Sequence, residues 1–228
     1  MDKPLAYRMK PKTLDEFFGQ EHIVGENKLL YRLIKADRLT SIILWGPPGC
    51  GKTSLAKVIA NTTQYNFVEL NATSAGVADI KKIAEDSKNL FMNPKGKTIV
   101  FIDEIHRFNK LQQDALLPLV EKGVVILIGA TTENPYFEVN KALVSRSTIF
   151  KLEPLNVEAT ANIISNAISN KENGLGDYKI NITEKEVMFL AKAVEGDVRT
   201  ALNALELAVI SSEMEFDGSV TITEEVLE

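Results

Sequence analysis

Cysteine is nearly absent. Cys50 is the only one in the chain, so no intrachain disulfide can form, and a reducing interior is the expected compartment. A long apolar run is absent too. The longest, from Val124 to Ala130, falls far short of the roughly 20 residues a membrane helix needs. The opening MDKPLAYRMKPK has no apolar signal core, so the expectation is a cytoplasmic or nucleoid-associated protein without membrane contact. Positive charge is not in excess: 26 Lys and Arg against 31 Asp and Glu leave a net charge of -5. Nucleic acid is therefore not attracted globally, and any DNA contact must come from a local basic patch. Neither an internal repeat nor a low-complexity tract is visible. What remains, 228 residues that are 45% hydrophobic and 25% charged, suits one sizeable core plus a small second unit.

The chain is organised around Ser41 to Ala60, where an apolar run (Ile42 to Trp45) meets a glycine-rich turn and then a helical pattern carrying Leu55, Ala56 and Ile59. The turn reads Gly46, Pro47, Pro48, Gly49, Cys50, Gly51, Lys52, Thr53, Ser54. Glycines at this spacing let the backbone approach phosphate oxygens with its N–H groups turned inward, and the helix beginning near Lys52 adds its positive end. Lys52 would reach the β- and γ-phosphates as a point charge, and the Thr53 hydroxyl would coordinate Mg²⁺. The competing reading is a Gly/Pro turn with no ligand.

Further along, Leu14 to Phe18 could make one helical turn ended by Gly19-Gln20, and a helix is predicted from Lys28 to Leu39 with a basic, solvated face of Lys28, Arg32, Lys35 and Arg38. Strands are predicted at Asn66 to Ala72, Thr98 to Asp103, Val124 to Ala130 and Thr148 to Leu152, besides the one before the phosphate loop. An amphipathic helix through Val77, Ile80, Ala84 and Phe91 follows the second strand, then a turn at Asn93-Pro94-Lys95-Gly96, and a helix at Lys110 to Lys122 kinked by Pro118 follows the third. Continuous apolar strands alternating with helices indicate an α/β fold, a five-stranded parallel sheet covered by helices on both faces. From Pro154 the pattern becomes helices only, which predicts an α/β domain over 1–154 and an all-helical lid over 155–228. Thr223 reads as the cap of a helix whose body lies beyond Glu228, so the chain is expected to be part of a longer protein.

In open parallel sheets ligands bind beyond the carboxyl ends of the strands. Asp103 and Glu104 close the run TIVFIDE; Asp103 suits the surroundings of Mg²⁺ and Glu104 suits a general base. Thr131-Thr132-Glu133-Asn134 follows the fourth strand, either as a phosphate or water contact or as a side-chain turn leading into Pro135. Arg146, in VSRS, and Arg199, in GDVR, could stabilise charge developing on a transferred phosphoryl group, or could be ordinary surface residues. His106, Arg107 and Lys110 form a candidate basic patch for DNA, with a solvated helix start as the alternative.

The combination of motifs resembles the AAA+ ATPases: GPPGCGKT at the Walker A position, IVFIDE at Walker B, GATT at the first sensor, SRS at the arginine finger and GDVR at the second sensor. RMKPKTLDEFFGQ and ELNATS point to the clamp-loader-like clade. PLAYRMKP, IILWGPPG, FIDEIHRFNKLQQDALLP, IGATTENPYFEVNKALVSR and GDVRTALNALE resemble the replication-associated recombination protein A family along the whole chain. That resemblance implies ATP and Mg²⁺ as cofactors, with Gly19-Gln20 and the segment around Arg8 and Pro11 bordering the adenine. It further implies Thr132 as sensor 1, Arg199 as sensor 2, and Arg146 acting on the ATP of a neighbouring subunit in a homo-oligomer. Asn71 would be a polar switch that holds Glu104 until DNA is engaged. Cys50 and Ser54 stand where relatives often have threonine, and Ser147 where many clamp loaders have cysteine; none of these differences removes a needed donor. The family's longer form assembles through a C-terminal helical region absent from this sequence.

The implied function is a DNA-dependent ATPase at replication forks or recombination intermediates, with forked, gapped, ended or junction DNA and replication or repair proteins as partners. Two alternatives within AAA+ are a Holliday-junction branch-migration motor and a clamp-loader subunit. An alternative of another class, a non-hydrolysing ATP-binding structural subunit, would be expected to lack Glu104 or Arg199. A small-molecule kinase would need lid arginines, and residues 157–211 contain only Arg199.

Overall fold

The computed structural model describes residues 3–63, 65–89 and 97–227. The turn expected at Asn93-Pro94-Lys95-Gly96 and the helical position Phe91 lie outside the described residues. In chain order, single-turn α1 (Leu5–Arg8) and α2 (Glu21–Val24) precede α3 (Leu29–Lys35), β1 (Ile42–Trp45), α4 (Lys52–Thr62), β2 (Asn66–Asn71) and α5 (Val77–Lys88). Next come β3 (Thr98–Asp103), a 3₁₀ turn at Ile105–Arg107, α6 (Lys110–Glu121), β4 (Val125–Thr131), α7 (Pro135–Glu138), α8 (Lys141–Val144) and β5 (Thr148–Lys151). The chain divides into two compact units: Lys12–Pro47 with Lys52–Glu153, and Met1–Pro11 with Pro48–Gly51 and Pro154–Glu228.

The larger unit is built on five parallel strands in the order β2-β3-β4-β1-β5. Its central strands are apolar because helices cover both faces. Every residue of β4 is buried and β3 is buried up to Ile102, whereas the edge strands β2 and β5 are mostly half-buried. On one face Ile43, Val100, Ile102, Leu127, Ile105 and Leu116 share a core cluster with Ile80 and Ile83 of α5. Gly129 of β4 lies under Ile105, and a Cβ there would fall 3.1 Å from the Ile105 side chain, so glycine lets the 3₁₀ turn seat on the sheet. The helical turn expected at Leu14 to Phe18 is absent: these residues form bends and a turn with one Phe17 N–H to Leu14 carbonyl bond of 3.1 Å. The basic residues Lys28, Arg32, Lys35 and Arg38 around α3 are exposed, as a solvated face requires.

α6 starts with a reciprocal cap. The Asn109 side chain accepts the Gln112 N–H at 2.9 Å, and the Gln112 side chain accepts the Asn109 N–H at 2.8 Å. Gln112 also donates to the Ala75 carbonyl at 2.6 Å, fastening the helix to the segment that enters α5. Pro118 lies within α6 without ending it, and Gly123, with φ +63°, closes the following turn.

The second unit contains α9 (Val157–Ser169), β6 (Lys179–Asn181), α10 (Glu184–Ala193), α11 (Val198–Ser211), β7 (Ser219–Thr221) and α12 (Glu224–Leu227). It is not all-helical. β6 and β7 pair in parallel, Lys179 with Ser219 through Asn181 with Thr221. Three residues per strand are too short for an alternation to register in the sequence, and the partners lie some forty positions apart. Leu5, Ile164, Leu190, Leu205, Val220 and Ile222 belong to its core, so α1 is part of this unit. A capping box of Thr183 and Glu186 opens α10, and hydrogen bonding from Thr183 holds the Glu186 carboxyl below its ordinary value.

Candidate nucleotide site

The strand order explains how residues far apart in sequence meet. With β3, β4 and β1 adjacent, their carboxyl ends bring Asp103, Thr131 and Gly46 into one row, and the Gly46 N–H donates to the Thr131 carbonyl at 3.2 Å. Lys52, at the first position of α4, is only 7% exposed, and its Nζ donates to the Gly46 and Pro47 carbonyls at 2.7 Å each. A buried ammonium needs acceptors. Here it has neutral ones from the loop itself, and these can be exchanged for an anion. Gly49 and Gly51 have φ of +70° and +99°, the left-handed region that a side chain disfavours. A Cβ on Gly49 would also fall 2.0 Å from an oxygen of Asp197. Cys50 is buried.

The Thr53 hydroxyl donates to Asp103 Oδ2 at 3.1 Å. A hydroxyl beside a carboxylate is an oxygen-donor pair of the kind Mg²⁺ prefers, and an anion-accepting loop stands next to it, so the residues present fit a nucleoside triphosphate with Mg²⁺. Glu104, the next residue, is in left-handed backbone at φ 53°, ψ 51°. Such a conformation costs a non-glycine residue on the order of 1–3 kcal/mol and is concentrated at functional sites. Glu104 Oε2 accepts from the Thr132 hydroxyl at 3.2 Å and lies 3.2 Å from His106 Nδ1.

Residues 42–154 match the family described as ATPase family associated with various cellular activities (AAA). The chain is 45% identical over 226 residues to the replication-associated recombination protein A of Bacillus subtilis, covering 99% of this chain and 52% of that one. It is 44% identical over 212 residues to the ATPase WRNIP1 of Dictyostelium discoideum, covering 93% and 24%. Among solved structures, the Thermotoga maritima RuvB Holliday junction branch migration motor matches with a TM-score of 0.75 and 28% identity, over 96% of this chain and 71% of that one. The chain belongs to the replication-associated recombination protein A family of AAA+ ATPases. It spans about half the length of the bacterial relatives it matches.

The structure thus brings together Lys52, Thr53, Asp103, Glu104 and Thr132 of this AAA+ domain. It puts Arg146 elsewhere: the guanidinium pairs with Glu121 at 2.6 Å and donates to the Ala142 carbonyl and the Ser145 hydroxyl at 2.9 and 3.0 Å. Ser54 is half-buried in the first turn of α4. Gln20 is buried, with φ +63°, and its amide brackets the Glu153 backbone, donating to the carbonyl at 2.7 Å and accepting the N–H at 3.0 Å. In the second unit, the Arg8 guanidinium donates to the Lys3, Asn173 and Gly174 carbonyls and pairs with Glu206 at 3.1 Å. Arg199 is exposed in the first turn of α11, after the N-cap Asp197. Asn71, expected to restrain Glu104, instead accepts from the Thr73 backbone and hydroxyl.

His106 is the residue whose place the sequence reading missed. The sequence places it in a basic patch with Arg107 and Lys110; those two are exposed, but the His106 side chain is only 17% exposed and turned inward. The 3₁₀ turn folds it back over Glu104 and across to β4, a contact no period in the sequence announces. Glu121 as the partner of Arg146 was equally hidden.

Proposed function

We propose that this chain is the nucleotide-hydrolysing portion of a DNA-dependent ATPase acting at replication forks or recombination intermediates, with hydrolysis at a site shared between subunits. The observation that carries the reading is the convergence of Lys52, the Thr53–Asp103 pair and the Thr132–Glu104 pair at three adjacent strand ends. Lys52 binds the triphosphate by exchanging its loop carbonyls for phosphate oxygens. Thr53 and Asp103 would hold Mg²⁺, which supplies charge neutralisation to the phosphates. Glu104 takes the proton of the attacking water, and the Thr132 hydroxyl holds that carboxylate in place. Arg199, and Arg146 from a neighbouring subunit, stabilise the charge developing on the transferred phosphoryl group. Arg8 and Gln20 enter as adenine-bordering positions through their backbone, since their side chains already hold other groups.

The similarity to a branch-migration motor supports a second reading, motor activity on four-way junctions. It is the weaker one: 28% identity to that motor stands against 45% to the recombination protein over nearly the same share of this chain. The test is phosphate release from ATP by the intact protein, with and without gapped or ended duplex DNA, using Glu104→Gln as the blank. Turnover is expected to rise with DNA and to fall by about 10²–10⁴-fold in the Glu104→Gln protein, the range a general base supplies, with nucleotide binding retained. Turnover indifferent to every DNA tested would remove the DNA dependence, and vigorous hydrolysis by the variant would remove Glu104 from the mechanism.

A further inference from the structure

We infer that His106 is a positioning residue for Glu104, acting with Thr132 to anchor one oxygen of its carboxylate so that the other stays free for the attacking water. This rests on Glu104 being the general base. The imidazole Nδ1 lies 2.8 Å from the Thr131 hydroxyl oxygen and 3.2 Å from Glu104 Oε2, while the Thr132 hydroxyl reaches the same Oε2 at 3.2 Å. Both contacts converge on Oε2; among the described residues, Oε1 has no side-chain partner.

The tautomer follows from the neighbours. An Nδ1 lone pair facing a carboxylate oxygen at 3.2 Å would be repulsive, so Nδ1 carries the hydrogen. The Thr131 oxygen can then accept from it as well, since it already accepts the Glu133 N–H at 3.0 Å and its own proton has the Glu133 carbonyl at 3.4 Å. Thr131 is fully buried at the end of β4, so the ring is tied to the buried end of a central strand. The turn that carries it is fixed on both sides: Ile105 is buried against Gly129, and the Arg107 N–H donates to the Glu104 carbonyl at 2.8 Å. The left-handed backbone at Glu104 supplies the reversal that folds residue 106 back over residue 104. Holding a base in register matters because a displacement of about 1 Å at a reacting group can cost on the order of 10²-fold in rate.

The experiment compares His106→Ala, His106→Asn and His106→Gln in the intact protein, measuring turnover and the Kd of a fluorescent ATP analogue, with Glu104→Gln alongside. The asparagine amide nitrogen stands where Nδ1 stands; the glutamine amide reaches toward Nε2 instead. His106→Ala and His106→Gln are expected to lower kcat by about 10- to 100-fold with the Kd changed less than about twofold, and His106→Asn to recover most of the loss. Should His106→Ala fail to fold, the contrast between Asn and Gln carries the same test. Wild-type kcat in His106→Ala, or equal losses in all three with weakened nucleotide binding, would overturn the proposal. Glu104→Gln separates the two readings: if it is inactive while His106→Ala is normal, only the positioning role falls, and if it turns over ATP freely, the base assignment itself falls.

Discussion

Lys52 is held inside the protein by two carbonyls that it would leave on binding ATP. A buried ammonium bonded only to neutral oxygens gains when a phosphate replaces them, because hydrogen bonds between charged partners are shorter and roughly twice as strong. Substituting Lys52→Ala deletes that gain. At roughly 1.5–3 kcal/mol for a charged hydrogen-bonding group, the affinity for ATP should fall by about 10- to 100-fold. Titration with a fluorescent nucleotide checks this, and an unchanged Kd would mean that Lys52 is a structural cation of the loop. The phosphate loop and the two acids after β3 were legible in the sequence because their chemistry follows fixed local spacing. His106 was not, because its partners are reached through a 3₁₀ turn and a neighbouring strand.

Elements carry these residues, and α6 has the most to hold. Its start sits directly behind the Glu104–His106 turn, and the reciprocal cap of Asn109 and Gln112 fixes where the helix begins. Asn109→Ala leaves the Gln112 N–H without its acceptor and should cost about 1 kcal/mol. In a domain of this size that is a fall of about 2–4 °C in Tm, to be read by thermal melting. Because Gln112 continues from the cap to the Ala75 carbonyl, a much larger fall would mean that the cap also holds α5 in place, and no fall would mean that water replaces it. The strands of the main sheet were legible for a simple reason. Burial on both faces demands unbroken apolar runs, and β3 and β4 obey that demand. β6 and β7 make only three paired positions each at the margin of a helical unit, so no run or alternation could build up.

At the scale of the whole molecule, the disposition of Arg146 decides whether one chain suffices. Its guanidinium is engaged by Glu121, and the two side chains are 40% and 45% exposed. An exposed pair of this kind is worth only about 0–1 kcal/mol. Glu121 can therefore park the arginine without competing seriously against a triphosphate presented by a neighbouring subunit. A chain carrying Arg146→Ala should lose on the order of 10³-fold in turnover, the lower end for arginine fingers, while keeping its own affinity for ATP. Glu104→Gln chains, which lack the proposed base, should be equally inactive yet still offer an intact arginine. Mixing the two proteins creates interfaces in which an intact Glu104 site faces an intact Arg146, and activity should return in proportion to the fraction of such interfaces. Restoration requires the arginine to act between chains. If the mixture stays inactive while gel filtration shows mixed assemblies, the arginine serves its own chain and must leave Glu121 to do so. In that case Glu121→Gln would raise turnover in the unmixed protein, an effect the shared-site reading does not require.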